Sequence, residues 1–196
     1  MTRALTILGT AAQSPTASRN QNGYLLRWDN EVILFDPGEG TQRQMLLARA
    51  SAASLTRICI THFHGDHCLG LPGVVQRRSL DRSPAPLDLH YPTSRQLHIE
   101  ALLAATEWDA DTLELRLHPT NDGASIALDD HLRLVAKALD HTTDTLGWRL
   151  EEAPRLHLDV ERLTGLGIEG AEIGTLQKQV GTSSAGGAST SMTSAP

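Results

Sequence analysis

Residues 57–67 read RICITHFHGDH, and this segment carries most of the information about the fold. The apolar run Arg57–Ile60 predicts a short strand, and Gly65 predicts a turn directly after it. The following run, residues 68–75, is compatible with a helix. The order strand, polar loop, helix therefore predicts a layered α/β architecture with a mixed sheet and with the polar loop at the edge of that sheet.

The polar loop is rich in metal-ligating side chains. His62 and His64 lie two residues apart, so in an extended segment their imidazoles point the same way and can reach one metal ion. Asp66 and His67 follow the turn and are expected to face the space beside that ion. This spacing suits two adjacent zinc ions, which together can activate water and stabilise the leaving oxygen in a hydrolysis.

The rest of the chain predicts a mixed architecture in which helices cover a largely β core. Short apolar runs separated by glycines predict neighbouring strands in the first half, and further strands follow. The predicted strands are residues 4–8, 24–28, 32–35, 57–60, 87–90, 114–117, 131–138 and 145–150. One helix is predicted to begin at Thr41, in a capping box with Gln44, and another to run from Ser94 to about Thr106.

Composition excludes several classes of protein. The 196 residues suffice for one domain with a real core, and no stretch reaches the ~20 apolar residues of a membrane span. We therefore expect no membrane partner, and the short apolar run at residues 4–8 predicts a cytoplasmic protein rather than a secreted one. A formal net charge of -6 restricts any nucleic-acid contact to a local surface. Cys59 and Cys68 are expected to be packed thiols.

The run His62, His64, Asp66, His67 resembles the signature of the metallo-β-lactamase superfamily. This resemblance implies an αββα sandwich and identifies His141 as the third ligand of the first zinc. It also identifies Asp36, in the stretch Leu34–Gly38, as the carboxylate that orients the histidine loop. His90, His98, His118, His131 and His157 lack clustered partners in the sequence and are read as ordinary side chains.

Within the superfamily, the chain is similar to the ribonuclease Z family of tRNA 3′-processing endonucleases. The similarity rests on residues 9–10, 15–20, 38–44 and 60–73. It implies that Arg19 and Asn20 belong to a loop near the RNA 3′ end, and that residues 151–180 resemble an arm that grips tRNA. It further implies two zinc ions per subunit, a homodimer and precursor tRNA as the partner.

The resemblance also predicts that the sandwich is incomplete. It covers Leu5 to about Gln177, whereas the family continues and supplies an aspartate that bridges both zincs and a final histidine. We therefore interpret residues 1–150 as the N-terminal half of the fold, with one zinc expected for this chain, and residues 181–196 as a disordered low-complexity tail. Such a half should expose an apolar sheet face.

These observations lead to three hypotheses. The first is a zinc-dependent endoribonuclease that removes the 3′ trailer of precursor tRNA and leaves a 3′-hydroxyl, with Asp66 accepting a proton from the attacking water. The second is another hydrolase of the same fold that acts on small esters. The third is a truncated, non-catalytic remnant that binds at most one zinc.

Overall fold

The computed structural model describes residues 3–153, 159–168 and 170–175. The chain divides into two units, Met1–Glu152 and Ala153–Pro196. The first unit contains both sheets and the histidine loop. Among the described residues, no helix has the length and apolar character needed to cross a bilayer.

The first unit is built on a six-stranded mixed sheet, as the sequence predicts. The first three strands are antiparallel, and the last three continue the sheet in parallel, in chain order throughout. The strands are β1 (Arg3–Gly9), β2 (Gly23–Trp28), β3 (Glu31–Phe35), β4 (Arg57–Cys59), β5 (Leu87–Pro92) and β6 (Leu115–Thr120).

A second sheet has three antiparallel strands, β7 (Ser125–Ala127), β8 (Leu132–Leu139) and β9 (Thr145–Glu152). The strands expected at residues 131–138 and 145–150 are confirmed as β8 and β9. The sequence did not predict β7, because three residues are too short to show an alternating pattern.

Four helices belong to this unit: α1 (Thr41–Leu47), α2 (Gly65–Cys68), α3 (Leu71–Leu80) and α4 (Gln96–Ala104). The helix expected from Ser94 instead starts with a 3₁₀ turn, Thr93–Arg95, and continues as α4. The capping box predicted at Thr41 is wrong. Gly40 occupies the cap position with φ 78°, and the Thr41 hydroxyl donates to the carbonyl of Gly38 at 2.8 Å.

Alternate side chains of the large sheet enter two different cores. Ile58 of β4 packs with the helices, whereas its neighbour Cys59 packs with Leu134 of β8. The helices therefore cover one face of the large sheet, and the small sheet covers the other. These are three successive layers of the predicted sandwich.

The outer end of the large sheet exposes apolar side chains. Leu5 and Ile7 of β1 are 59% and 50% exposed. Leu5 pairs with Leu26, which pairs with Ile33, and Ile33 packs against the small sheet. Leu5 and Ile7 thus extend the face that the small sheet covers farther along, which confirms the expected exposed apolar face.

The histidine loop follows an interior strand. β4 lies between β3 and β5, so the loop emerges at the carboxyl end of parallel strands. We expected it at the edge of the sheet, and this is wrong in the lateral sense, because strands flank β4 on both sides. A position at the carboxyl ends of parallel strands is where α/β sheets usually place their sites.

The second unit contains α5 (Val160–Gly165). Asp159 caps this helix by accepting the backbone N–H of Arg162 at 3.0 Å. The helix lies inside the segment 151–180 interpreted as an arm. The predicted tail, residues 181–196, lies outside the described residues.

Candidate metal centre

Three histidines converge at the carboxyl end of β4. One ligand atom from each of His62, His64 and His141 lies within 4.8 Å of the other two. His62 Nε2 is 3.1 Å from His64 Nδ1, and the rings of His62 and His141 have centroids 4.8 Å apart. The structure therefore brings together the three residues that the sequence analysis assigned to the first ion.

A hydrogen-bond relay fixes which nitrogen of His62 faces this space. The Thr61 hydroxyl donates its one proton to Asp36 Oδ2 at 2.8 Å. In its contact with His62 Nδ1, also 2.8 Å long, the hydroxyl oxygen must therefore be the acceptor and Nδ1–H the donor. The neutral imidazole of His62 then keeps its lone pair on Nε2, the atom that faces His64. A hydrogen-bond partner on the ring nitrogen that does not bind the metal sets the tautomer of metal-binding histidines in this way.

The surroundings of His62 keep its imidazole neutral. Burial, followed by the nearby charge of His67, lowers the pKa of His62 to about 4, against the opposing effect of Asp36. Only a neutral imidazole can donate its lone pair to a metal. The electrostatics of this residue therefore favour a ligand over a cation at neutral pH.

Asp36 holds the loop together from the end of β3. Besides the Thr61 hydroxyl, it accepts the Thr61 backbone N–H at 2.7 Å and the His67 ring at 2.9 Å. Burial alone would lower the pKa of His67, but the hydrogen bond and charge of Asp36, with the charge of Asp66, raise it. Asp36 itself has φ 47°, a left-handed conformation that aspartate tolerates better than most residues.

Asp66 lies beside His67 and is buried, with its Oδ2 3.4 Å from His67 Nε2. Asn22 donates to that same oxygen at 3.3 Å and approaches His67 Nε2 at 3.1 Å. The Tyr24 hydroxyl in turn donates to Asn22 Oδ1 at 3.2 Å. The two residues expected to serve a second ion are therefore adjacent, and they are braced by Asn22, just before β2, which Tyr24 of β2 holds in turn.

His141 reaches the centre because the loop between β8 and β9 is anchored on the histidine loop. The backbone N–H of Leu146 donates to the Thr61 carbonyl at 2.9 Å, and Trp148 Nε1 donates to the Ile60 carbonyl at 3.3 Å. The 3₁₀ turn before α4 holds the other side of this loop through the hydrogen bonds Ser94 to Asp144 and Arg95 to Thr143.

Two glycines allow the surrounding segments to touch. A Cβ placed on Gly38 would lie 2.3 Å from the Asp66 carbonyl oxygen, and one on Gly70 would lie 2.0 Å from the Gly38 carbonyl oxygen. Side chains at these positions would push the Asp36 segment away from the histidine loop.

Both cysteines are buried thiols, as expected. Burial raises the pKa of Cys68 to about 12, and the thiol donates to the His64 carbonyl at 3.3 Å. Burial also raises the pKa of Cys59. Neither thiol supplies a thiolate ligand at neutral pH.

The segment with Arg19 and Asn20 lines a polar cavity of about 450 Å³ next to α1. The Asn20 amide donates to the Glu39 carbonyl at 2.7 Å, so it fixes the loop to the protein rather than pointing to solvent. Arg19 lines the cavity together with Arg43, and no carboxylate contributes to the lining. The sequence analysis did not identify Arg43.

Sequence reasoning also missed Thr61 and Asn22. Thr61 could have been noticed because a hydroxyl directly precedes the first ligand. Asn22 gave no signal, because its contact with Asp66 arises only when β2 pairs beside β3.

The comparisons with known proteins agree with this geometry. Residues 18–178 match the model of the metallo-beta-lactamase superfamily. Among curated proteins, the chain is 51% identical to Ribonuclease Z of Salinispora arenicola, over 89% of this chain and 56% of the relative. It is 50% identical to Ribonuclease Z of Nocardia farcinica, over 90% of this chain and 58% of the relative.

A solved structure shows the same fold. The short form of human tRNase Z superposes with a TM-score of 0.64 and 31% identity, over 76% of this chain and 64% of that chain. The chain spans a little over half the length of the curated relatives, 56% and 58% of the two named above. The family match, the three layers and the histidine centre together place this chain in the metallo-β-lactamase superfamily.

Proposed function

We propose that this chain carries the metal-binding half of a zinc-dependent endoribonuclease that removes the 3′ trailer of precursor tRNA and leaves a 3′-hydroxyl on the tRNA. The observation that carries this proposal is the converging histidine triad in a chain that is 51% identical to a ribonuclease Z over 89% of its length. The proposal extends the relatives' named activity to this chain.

The donor set fits zinc. His62, His64 and His141 offer three imidazole nitrogens, the ligand type that zinc prefers with a water in the fourth position. Asp66 and His67 would serve a second ion. Bound zinc would polarise the phosphodiester and lower the pKa of water towards ~7, so that a nucleophile exists at neutral pH.

The chain's own residues would then orient the groups and move the proton. Asp66, with Oδ2 held by Asn22, would accept a proton from the attacking water as general base. Asp36 would keep His67 and the Thr61 relay in place without touching substrate.

Arg19 and Arg43 support an RNA substrate. Among the described residues neither guanidinium forms an ion pair, and both line a cavity without carboxylates. This is local positive charge on a chain of net charge -6. We propose that these two guanidinium groups contact phosphodiester groups near the RNA 3′ end.

The remaining family-based expectations stay predictions. They are the tRNA-gripping arm at residues 151–180, the homodimer and the cytoplasmic location. Deletion of residues 151–180, sedimentation and cell fractionation test them in that order.

Cleavage of a trailer-labelled precursor tRNA by the purified chain in zinc tests the function. We expect a product with a 3′-hydroxyl, at a rate far below that of a complete enzyme, because Asp66 and His67 give the second ion only two ligands. Asp66→Ala should remove this cleavage and leave the first zinc bound. Hydrolysis of small esters without any cleavage of precursor tRNA would support the second hypothesis instead.

A non-catalytic remnant is the alternative, and one observation favours it. In the part of the chain that the structure describes, the triad is the one group of three potential ligands that come close together. One zinc per chain and no cleavage would support the remnant. Two tightly bound zincs per chain, measured by elemental analysis, would contradict it.

A further inference from the structure

A second cavity lies behind the histidine loop. It has a volume of about 320 Å³, is mostly apolar, and sits between the loop and α4. No carboxylate, lysine or arginine contributes to its wall. Its main lining residues are Phe63, Cys68, Leu69, His98, Ala101 and Leu102.

Two of the residues that line this cavity carry aromatic rings. Phe63 stands between His62 and His64 in an extended segment, so its side chain points away from the metal ligands. It is half-buried and packs on the main core. The exposed His98 of α4 meets it with ring centroids 5.6 Å apart and planes at 56°. The cavity thus presents flat ring surfaces without a charged group.

The cavity lies next to the metal centre. A neighbouring cavity of about 260 Å³ is lined by His64 and Asp66, and both cavities share Gly65 and Leu69. A Cβ on Gly65 would lie 2.9 Å from the Leu69 side chain, so a larger residue at position 65 would crowd the residues that both cavities share. A molecule held at the metal ligands therefore has an apolar recess beside it.

We propose that the Phe63–His98 cavity receives one unstacked nucleobase of single-stranded RNA, next to the phosphodiester held at the metal centre. This inference rests on the proposed function, and it names a part of the substrate that the metal ligands do not contact. Single-stranded RNA is recognised through splayed bases that stack on phenylalanine and histidine rings. A wall without charge suits a base and does not suit a phosphate.

Fluorescence of 2-aminopurine, placed at successive positions of a short single-stranded RNA, tests this proposal with the full chain and does not require cleavage. Stacking quenches this base, so we expect quenching at one position only. His98→Ala and Phe63→Leu should relieve the quenching and weaken binding about tenfold, the usual size of one base–ring stack.

His131→Ala is the matched control, because it removes another exposed histidine that lies outside the cavity. It should leave quenching and affinity unchanged. Zinc content and circular dichroism check that each variant is folded, and the exposed position of His98 makes its variant the safer of the two.

The outcomes separate this inference from the proposed function. RNA that binds with wild-type affinity to both cavity variants overturns the nucleobase site and leaves the nuclease proposal standing. No binding of any RNA overturns both. A changed sedimentation coefficient of His98→Ala with unchanged RNA binding assigns the cavity to contact with a second copy, which also overturns the proposal.

Discussion

Two histidine clusters lie near the carboxyl ends of neighbouring strands, and only one of them is organised to bind a metal. The first is the triad, in which a hydroxyl and carboxylate relay directs a lone pair inward. The second is His90 on β5 and His118 on β6, whose rings stack at 4.7 Å and 19°.

The second cluster contains histidines, but their ring nitrogens do not converge on one point. His118 Nε2 bonds to Asp88 at 2.8 Å, and neither ring nitrogen of the buried His90 has a hydrogen-bond partner among the described residues. Stacked rings direct their nitrogens side by side instead of towards one point. The two clusters therefore differ in whether their ligand atoms converge, and proximity of histidines alone does not make a metal centre.

The largest expected effect is the loss of zinc from the triad. His64→Ala leaves two imidazoles, too few to hold the ion, so tight zinc binding should disappear. His118→Ala is the matched control and should keep one zinc per chain. Elemental analysis after gel filtration measures the zinc content of both variants. Loss of zinc from His118→Ala, with zinc retained by His64→Ala, would show that the second cluster and not the triad binds the ion.

Acid should weaken the fold through the second cluster. Burial, with the charges of His118 and Arg57, lowers the pKa of His90 to about 4, against the effect of Asp88. Because the unfolded imidazole titrates near 6.5, the unfolded state binds the extra proton first. Stability is then complete above pH 6.5 and falls towards pH 4 by about 2–3 kcal/mol.

Urea unfolding of the zinc-free chain at pH 7 and pH 4.5 measures this loss. His90→Leu should lose about 2–3 kcal/mol less than the wild type between the two pH values, since the titrating group is absent. All other residues are the same in the two proteins, so the difference between their pH dependences isolates His90. Equal pH dependence of the two proteins would show that His90 is not the responsible group.

The carboxylates that support the two clusters, Asp36 and Asp88, can also be compared. Asp36→Asn should weaken zinc binding about 10- to 100-fold, because it disturbs the Thr61 relay and His67, while asparagine still tolerates the left-handed backbone. Asp88→Asn disturbs the bond to His118 and the ion pair with Arg57 but touches no residue of the triad, so it should leave the zinc affinity unchanged. Competition with a chelator measures both, and equal losses would mean that the clusters are coupled.

The smallest expected effect concerns the side chain between the clusters. Trp148 donates to the Ile60 carbonyl and lies 6.0 Å from the His90 ring. Trp148→Phe should cost about 1 kcal/mol of unfolding free energy and leave zinc affinity within about twofold. Trp28→Phe, whose indole N–H has no partner among the described residues, should cost less.

The sequence could predict the parts of the centre that depend on local geometry. His62 and His64 converge because alternation in an extended segment is a short-range property. His141 came from family resemblance, because its position depends on how β9 attaches to Thr61.

The second cluster could not be predicted in this way. In the sequence, His90 and His118 were read as isolated residues, and this reading is wrong. The register of β5 and β6 places them side by side on two parallel strands. Parallel pairing joins residues far apart in the chain, and no local pattern encodes such a register.

The uncovered apolar end of the large sheet has a consequence for the chain in solution. Within residues 3–153, β1 pairs with β2 alone, which leaves a strand edge that can recruit another strand. The start of β1 is protected by charge, since Arg3 forms ion pairs with Asp29 and Glu152. The rest of the strand, residues 4–9, has no charge. Aggregation of the isolated chain should therefore begin there, and Ile7→Lys should slow its growth.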